Sequence, residues 1–352
     1  MRAREILFGS IAATLLVIYV VLGVRVAPLL APAGTPTPTP AKPSSAVAAP
    51  RVPGTIAFML RGDVYVLSGG KYVNVTTDGA DESPALSPDG RTVLFARTVS
   101  VDGKRIVDEQ VTPAVLRYSD IVAKPSTGGA ENVLVTGLLQ KLSSGFDRVA
   151  WQDDPAVSPD GTRFAVLVAP DDGSDASDLF IYDLKSTAQA PKRIAQLSQG
   201  SNLADVAWSP DGKDIVVTSY TLGVPRILLI PVDGRAAAQQ KIDTEGEPYR
   251  ASYSPDGKWL VYTLRRPTGG NDVHAVEIAT GHDVALTTDG KSWNGVFSPD
   301  GAWVAFLRES GGVIDLYAME LATALTGGSP KAAIKLTNGE GIDGESRPSW
   351  GR

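Results

Sequence analysis

The stretch Ser298-Pro299-Asp300-Gly301 decides the fold, because the same four residues occur five times in the chain. The other four copies begin at Ser87, Ser158, Ser209 and Ser254. Serine, proline, aspartate and glycine, in this order, are favoured at the four positions of a type I turn. A turn that recurs in this way indicates an array of similar small structural units. The identical turns are therefore interpreted as scaffold and not as catalytic sites.

Each copy of the turn is followed by a short run of apolar and β-branched residues, which predicts a strand. These runs cover residues 92–96, 164–168, 215–217, 259–262 and 303–307. A third strand follows in most units and usually opens with aspartate, and a weaker fourth strand leads to the next unit. The pattern predicts four-stranded antiparallel meanders. Such meanders must stack on one another, since one alone cannot bury both of its faces.

The two ends of this array complement each other. Residues 54–59 resemble a second strand with no turn before it, while Arg347-Pro348-Ser349-Trp350 resembles a first strand that is then cut short. We therefore predict six units that close into a ring, with one unit built from both ends of the array. Closure would remove the open sheet edges that a row of such units exposes.

From about residue 54 to residue 352 the repeat resembles the TolB-type, WD-like propeller repeat. The resemblance implies an all-β, six-bladed β-propeller over residues 54–352. It leaves the function open, because this repeat occurs in binding proteins, in lyases and in the propellers that precede prolyl-peptidase hydrolases. TolB carries an α/β domain before its propeller, whereas an anchor and a spacer are predicted here. The role of TolB with the Pal lipoprotein is therefore not carried over.

Residues 1–25 predict a single N-terminal transmembrane anchor. Residues 6–24 form a run of nineteen residues without a charge, which as a helix would span roughly 28 Å and so match a hydrocarbon core of about 30 Å. Arg2 and Arg4 precede the run, and this weak positive-inside bias favours an extracytoplasmic body, periplasmic or at the cell surface. The alternative is a cleaved signal peptide that ends near Ala31-Pro32-Ala33, although its apolar region would normally be shorter.

Residues 26–53 predict an extended linker. The segment is rich in proline and threonine, most clearly in the run Thr35-Pro36-Thr37-Pro38-Thr39-Pro40. Proline fixes φ and lacks an N–H donor, so the segment favours polyproline II and would reach roughly 85 Å at about 3.1 Å per residue. We interpret it as a spacer that holds the propeller away from a membrane.

The composition excludes several classes of function. The net charge of −6 gives no basic field that would gather nucleic acid, and the absence of cysteine excludes disulfides, thiolate metal sites and a cysteine nucleophile. The two histidines, His274 and His282, lack clustered partners of fixed spacing, and neither a nucleophile elbow nor a phosphate-binding loop occurs. We expect no cofactor and no metal. Enzymatic activity stays open, with a carboxylate-pair glycosidase or lyase as the candidate.

The loops of a propeller divide between its two faces. The tight Ser-Pro-Asp-Gly turns join the first and second strands and lie on one face, together with the short turns between third and fourth strands. The long segments belong to the opposite face and cover residues 98–119, 136–153, 170–177, 199–204 and 338–346. Loops that a rigid scaffold displays are a common place for binding. We call these two surfaces the short-turn face and the long-loop face.

The residues that begin the inner strands should ring the mouth of the central channel on the long-loop face. The candidate binding residues are Asp81, Glu82, Asp153, Asp154, Asp205, Tyr249, Arg250, Trp293, Asn294 and Arg347. Acids on one arc with arginines opposite could bind a polar ligand, a cation or a basic loop, or could simply solvate the rim. The aromatic members are the better candidates for a protein interface.

The leading hypothesis is a membrane-tethered, extracytoplasmic propeller that binds a protein or peptide through its long-loop face. The alternative is an enzyme or ligand sensor that acts on a carbohydrate or peptide at the channel mouth. A third hypothesis, a purely structural spacer, predicts that substitutions on both faces are equally silent.

Overall fold

The computed structural model describes residues 52–107, 109–141, 145–170, 177–186, 191–195, 201–240, 242, 244–321 and 323–352. The predicted anchor, residues 1–25, and all but the last two residues of the predicted linker lie outside this range. Within the described residues the chain is all-β, and its helical structure is limited to one 3-10 turn, Ala324–Thr326. None of the helices in this part of the chain is long and apolar enough to cross a membrane.

The strands form six antiparallel sheets, which are the six predicted blades. Blade 1 contains β1 (Thr55–Leu60), β2 (Asp63–Ser68), β3 (Lys71–Asn74) and the C-terminal strand β25 (Ser349–Gly351). Blade 2 contains β4 (Asp81–Leu86), β5 (Thr92–Val107), β6 (Gln110–Pro125) and β7 (Asn132–Val135). Blade 3 contains β8 (Leu138–Gln140), β9 (Arg148–Val157), β10 (Arg163–Pro170), β11 (Asp178–Asp183) and β12 (Lys192–Ala195).

The other three blades follow the four-stranded plan. Blade 4 contains β13 (Ser201–Trp208), β14 (Asp214–Thr221), β15 (Val224–Pro231) and β16 (Ala238–Gln239). Blade 5 contains β17 (Glu247–Tyr253), β18 (Trp259–Arg265), β19 (Asn271–Glu277) and β20 (Asp283–Ala285). Blade 6 contains β21 (Ser292–Phe297), β22 (Trp303–Ser310), β23 (Val313–Glu320) and β24 (Ile334–Lys335).

The ring closes as predicted. The inner strands β4, β9, β13, β17, β21 and β25 contact one another in that order, and β25 returns to β4. Within blade 1, β25 pairs with β1 through Thr55↔Gly351 and Ile56↔Trp350, and the indole N–H of Trp350 donates to the carbonyl oxygen of Pro53 at 2.8 Å. One blade thus combines strands from both ends of the described chain, and this confirms the six-bladed propeller.

The core lies between neighbouring blades. Met59 and Val64 of blade 1 pack with Val93 and Phe95 of blade 2, and similar clusters join the other blades. The apolar side chains on both faces of a blade are therefore buried only when both neighbouring blades are present. Hydrophobic burial of this kind supplies most of the free energy of folding.

The Ser-Pro-Asp-Gly turns are scaffold, as the sequence predicts. In blade 6 the N–H of Gly301 donates to the carbonyl oxygen of Ser298 at 2.9 Å, and the Ser298 hydroxyl donates to Asp300 Oδ1 at 2.5 Å. The N–H of Trp303 donates to the Ser298 Oγ at 2.9 Å, which aligns the next strand. Gly301 has φ = 72°, a conformation that favours glycine. The same arrangement occurs in all five copies.

The aspartates that were predicted to open the third strands are also structural. In four blades this carboxylate accepts a hydrogen bond from a glycine N–H in the turn that leads to the next blade. The pairs are Gly79–Asp63 at 2.8 Å, Gly137–Asp120 at 2.9 Å, Gly290–Asp272 at 3.0 Å and Gly339–Asp315 at 2.7 Å. The repeated aspartate therefore fixes the crossing from one blade to the next.

The prediction of a long loop over residues 98–119 is wrong. The strands β5 and β6 stay paired from Thr92↔Pro125 to Val107↔Gln110, so this segment is a protruding hairpin. Its inward side chains Leu116 and Tyr118 pack with Val149 of blade 3 in a small separate core. The strands continue beyond the length of the other blade strands because blade 3 contributes to this core and so supports the extended part. We call residues 98–119 the long hairpin.

The segment 136–153 is likewise more regular than predicted. It contains β8 and the first part of β9, which pair through Leu138↔Val149 and Gln140↔Arg148. Blade 3 consequently has five strands where four were expected. This extra pairing lies beside the long hairpin, whose small core includes Val149 and Leu138.

Candidate functional site

A β-bulge occurs at the same place in five inner strands. In each strand two consecutive residues oppose a single residue of the next strand. These two bulge residues stand four and three positions before the serine of the repeated turn. The first bulge residue has a positive φ: Ser83 at 52°, Asp154 at 50°, Asp205 at 63°, Arg250 at 57° and Asn294 at 59°. Arg347 holds the equivalent position in blade 1. We call these six residues the bulge ring.

Positive φ is uncommon for residues other than glycine, and such conformations cluster at functional sites, as bulges do. In blades 4, 5 and 6, a hydrogen bond from the bulge N–H group to the preceding blade holds the conformation. The N–H of Asp205 donates to Asp154 Oδ2 at 2.6 Å, that of Arg250 to Thr218 Oγ1 at 2.9 Å, and that of Asn294 to Thr263 Oγ1 at 2.9 Å. The ring therefore braces neighbouring blades and also presents side chains to the channel.

Four carboxylates from blades 2, 3 and 4 lie together on one side of the ring. This acidic arc consists of Glu82, Asp153, Asp154 and Asp205. Asp153 Oδ1 accepts hydrogen bonds from the Ser83 hydroxyl and from the N–H of Asp154, both at 2.7 Å. Asp205 is 8% exposed, and its Oδ2 is buried without a hydrogen-bond partner among the described residues.

The acidic arc holds ionised carboxylates poorly. Burial raises the pKa of Asp153 to about 6, and the charge of Glu82 adds to this effect. Burial also raises the pKa of Asp154 to about 7, helped by the neighbouring charges of Asp153 and Asp205. Both effects disfavour the charged form of a carboxyl group. The ionised forms of Asp153 and Asp154 are therefore disfavoured near neutral pH.

Arg250 connects the acidic arc to the rest of the rim. Its Nε lies 3.3 Å from Asp205 Oδ1, its Nη1 donates to Asn294 Oδ1 at 2.9 Å, and its Nη2 donates to Glu345 Oε2 at 3.2 Å. Burial alone would lower the pKa of Arg250, but the carboxylates of Asp205 and Glu345 more than reverse this effect. Its charge is thus shared among several acceptors.

Arg347 reaches across the channel from blade 1 to blades 4 and 5. Its Nη1 donates to the carbonyl oxygen of Ala251 at 2.6 Å and its Nη2 to that of Val206 at 2.8 Å. Burial lowers the pKa of Arg347, against the opposing effect of Asp205 and Asp154. Arg347 also lines a cavity of about 410 Å³ on the short-turn side, where prolines of the inner strands and repeated turns predominate and no residue of the acidic arc takes part.

The structure brings together seven of the ten predicted site residues. They are Glu82, Asp153, Asp154, Asp205, Arg250, Asn294 and Arg347. The other three have different partners. Asp81 is buried and pairs with Arg97 at 2.7 Å, Tyr249 is 7% exposed beneath the guanidinium groups of Arg250 and Arg265, and the indole N–H of Trp293 donates to Gly344 O at 2.8 Å.

Several site residues were missed by the sequence reasoning. Ser83 belongs to the bulge ring. It stands four positions before the motif serine Ser87, and this shared spacing could have identified it. Glu345 binds Arg250 from a connecting segment and carries no pattern that marks it. Thr218 and Thr263 accept the bulge hydrogen bonds from within ordinary strands, so only the packing of adjacent blades reveals their role.

The long hairpin presents an apolar patch on the long-loop face. We define the hairpin patch as Ile106, Val111 and Val115, which share the outward side of the hairpin and have exposed fractions of 52%, 47% and 61%. The hairpin itself is well supported. Asp147 makes two hydrogen bonds to the first strand of the hairpin. Its N–H donates to the carbonyl oxygen of Lys104 at 2.9 Å, and its Oδ2 accepts from the Lys104 N–H at 3.0 Å. The exposed valines therefore belong to a formed β-sheet.

The histidine within a strand is a structural residue. His274 Nδ1 lies 2.8 Å from Asp283 Oδ2, and the Tyr262 hydroxyl and the Thr244 hydroxyl each donate to the same carboxylate at 2.7 Å. These contacts hold together strands of blade 5, apart from the bulge ring. Across the described parts of the chain, no group of three or more histidine or acidic side chains has the arrangement of a metal site.

These features define a six-bladed propeller with polar side chains around its central channel. Residues 139–352 match the model of the TolB beta propeller domain, and the chain belongs to that family. The match covers more than half of the chain.

Similar proteins share only parts of this sequence. The chain is 27% identical over 179 residues to dipeptidyl-peptidase 5 of Aspergillus fumigatus. The alignment covers 50% of this chain and 23% of that protein. It is 35% identical over 68 residues to the Tol-Pal system protein TolB of Anaeromyxobacter dehalogenans, covering 19% of this chain and 15% of that protein. The matched stretches thus span less than a quarter of either relative's length.

A solved structure of TolB from Acinetobacter baumannii superimposes with a TM-score of 0.60 at 21% identity, covering 84% of this chain and 66% of that chain. At this level of identity the likeness concerns the fold.

Proposed function

We propose that this protein is a membrane-tethered, extracytoplasmic propeller that binds a protein or peptide through its long-loop face. The observation that carries the proposal is the presence on that one face of both the hairpin patch and the mouth of the polar channel. Exposed apolar groups beside polar ones are the usual composition of a protein interface, with an apolar centre and a polar rim.

The hairpin patch supports binding because its exposure is stabilised by the fold. The inward side chains of the long hairpin, including Leu116 at 1% and Tyr118 at 5% exposure, are buried in their own small core. The residues of the hairpin patch lie on the opposite, outward side. A rigid two-stranded platform loses little conformational entropy on binding, so its apolar side chains can contribute affinity efficiently.

The described chain enters the propeller on the short-turn face. Thr55 opens β1 beside the short turn of blade 2, where a Cβ on Gly90 would lie 3.4 Å from the Thr55 Cβ. Any segment before residue 52 therefore joins the propeller on the short-turn face. We propose residues 6–24 as the anchor and residues 26–53 as the spacer, with the propeller in the periplasm or at the cell surface.

Two measurements test the tether. Alkaline carbonate extraction should leave the full chain in the membrane fraction, and deletion of residues 1–25 should release it. Protease added outside the cytoplasm should reach the propeller. Extraction of the full chain into the soluble fraction would contradict the tether without affecting the proposed binding face.

The binding face is tested by charge substitutions in the full chain. Ile106→Glu and Val115→Glu place charges in the hairpin patch without touching its inner core. The matched control is Lys258→Glu on an exposed short turn. We expect partners recovered by chemical crosslinking in cells to be lost from the hairpin variants and retained by the control. Retention of every partner by the hairpin variants would contradict the proposal.

A second candidate function is an enzyme or ligand sensor for a carbohydrate or peptide at the channel mouth. It is favoured by one observation, the raised pKa values of Asp153 and Asp154 in adjacent positions, since perturbed carboxyl groups in a cleft are typical of acid–base chemistry. Turnover that Asp154→Asn abolishes would favour this function. The absence of any thermal shift across panels of sugars and peptides would count against it.

A further inference from the structure

We propose that the cavity on the short-turn side of the channel binds a small organic anion, a carboxylate carried on a compact apolar body, and that Arg347 binds the carboxylate. This site lies on the face opposite to the proposed protein-binding face. It stands or falls independently of the proposed function.

The cavity exists because the inner strands carry small side chains at one level. The second residue after each member of the bulge ring lines the cavity, and none of these six side chains is larger than valine. They are Ala85, Ala156, Ala207, Ser252, Val296 and Ser349, and we call them the small-residue layer. The cavity of about 410 Å³ that results is within the range of about 300–1,000 Å³ that is typical of small-molecule pockets.

The mouth of the cavity is apolar and rigid. The prolines of the five repeated turns line it, and Arg352 holds the corresponding place in blade 1. Because proline fixes φ, the mouth loses little conformational freedom when a ligand enters. Larger apolar side chains, Trp208, Phe297 and Trp350 among them, complete the wall. An apolar ligand body would therefore exchange contact with water for contact with these side chains.

The guanidinium of Arg347 has hydrogen-bond donors to offer a ligand. A guanidinium carries five N–H donors. The carbonyl oxygens of Val206 and Ala251 accept from Arg347 Nη2 at 2.8 Å and from its Nη1 at 2.6 Å. Both acceptors directly follow a residue of the bulge ring, so the guanidinium lies at the end of the cavity away from the repeated turns. The remaining N–H donors have no acceptor among the described residues.

The charge of Arg347 is a second, independent observation, because it has no ion-pair partner within the described residues. Burial and the nearby charge of Arg250 lower the pKa of Arg347 more than Asp205 and Asp154 raise it. Asp205 is paired with Arg250 instead, and none of the residues that line the cavity is acidic. A ligand carboxylate would compensate this buried charge, and its planar geometry matches that of a guanidinium.

Two serines of the small-residue layer add hydroxyl donors. Ser252 directly follows Ala251, whose carbonyl oxygen binds Arg347, and the Ser252 hydroxyl has no hydrogen-bond partner among the described residues. The Oγ of Ser349 accepts from the N–H of Leu86 at 2.9 Å, which leaves its own proton to donate. One cavity thus combines an apolar wall with a guanidinium and hydroxyl groups, which is the combination that a carboxylate on an apolar body requires.

The test is a calorimetric titration of the full chain with 3-phenylpropanoate and with hexanoate. The control probe is 3-phenylpropanamide, which has nearly the shape of the first carboxylate and no charge. We expect saturable binding of both carboxylates and binding of the amide that is weaker by about tenfold or more, as loss of a charged hydrogen-bond partner implies. Arg347→Gln should weaken carboxylate binding by about the same factor. Arg235→Gln, exposed on a short turn of the same face, should bind as the natural protein does.

A second variant is needed because Arg347→Gln removes two hydrogen bonds that cross the channel. Ser252→Leu fills part of the cavity and leaves Arg347 in place, so it should abolish carboxylate binding while urea unfolding stays cooperative. If only one of the two variants folds, that variant decides.

Four results would overturn the proposal. They are the absence of saturable binding by both carboxylates, equally tight binding of the amide, undiminished carboxylate binding by a folded Arg347→Gln or Ser252→Leu variant, and equally tight binding of inorganic phosphate. The last result would show an anion site without a requirement for an apolar body.

Discussion

Replacement of Asp154 by asparagine should stabilise the protein at neutral and alkaline pH. The substitution keeps the shape of the side chain and leaves an oxygen that can accept the hydrogen bond from the Asp205 N–H, now 2.6 Å from Asp154 Oδ2. It removes a charge that burial and the neighbouring charges of Asp153 and Asp205 disfavour. A residue that only braced the blades would give the opposite result, because its loss would destabilise the fold.

The size of the effect follows from the pKa of Asp154, which the folded structure raises from 3.8 to about 7. The folded state then binds more protons than the unfolded state between these values, so the free energy of unfolding decreases as the pH rises through this window. At about 1.4 kcal/mol per pKa unit the upper limit is about 4 kcal/mol. Asp154 is partly exposed and lies beside the charge of Asp153, so we expect about 1–2 kcal/mol.

The assay is urea unfolding of the natural protein and of Asp154→Asn at about pH 5 and about pH 8, followed by tryptophan fluorescence. We expect the variant to be more stable at the higher pH and to lose most of this advantage at the lower one. Asp233→Asn, on an exposed turn, is the matched control and should not gain stability. Equal destabilisation of Asp154→Asn at both pH values would refute the electrostatic reasoning.

Three further predictions concern closure, the core of blade 5 and the hairpin patch. Trp350→Ala should destabilise the propeller by about 3 kcal/mol in urea unfolding, since Trp350 is 9% exposed in the closing strand; an effect near zero would contradict closure through β25. Asp283→Asn should lower the melting temperature, as it weakens three side-chain hydrogen bonds; an unchanged temperature would contradict this. Val111→Ser with Val115→Ser should change unfolding by less than about 0.5 kcal/mol, and a larger loss would show that the patch is buried.

The propeller could be predicted from the sequence because its defining turn is a local structure. The hydroxyl of Ser298 binds Asp300 two residues ahead and accepts from the N–H of Trp303 five residues ahead. Every bond that shapes the turn thus lies within a six-residue stretch, and five copies at blade-like intervals leave little choice of fold. Closure was predictable for a similar reason, since the missing first strand of the array reappears around Trp350.

The long hairpin could not be recognised as a hairpin because its support is not local. Polar residues such as Asp102 and Lys104 occupy outward positions and suggest a loop when the segment is read alone. The inward Leu116 and Tyr118 gain their burial from Val149 of the next blade. Only the packing of blade 3 against blade 2 decides that these residues form strands.

The candidate site was predictable in its position along the chain and unpredictable in its contacts. Acidic and basic residues at the start of the predicted inner strands indicated the rim, and most of them do meet there. The path of Arg347 across the channel to Val206 and Ala251 depends on the diameter of the closed ring. The burial of Tyr249 beneath two arginines likewise depends on side-chain packing that no spacing reveals.

The central claim, binding through the long-loop face, is tested most directly by site-specific photo-crosslinking in cells. A photoreactive residue would replace Val115 in the hairpin patch or Glu345, whose side chain is 98% exposed beside Arg250. Control positions are Asp233 and Lys258, both exposed on short turns of the opposite face. We predict that the two long-loop positions capture the same protein and that the controls do not. Capture of that protein equally from both faces, or from the controls alone, would contradict the account.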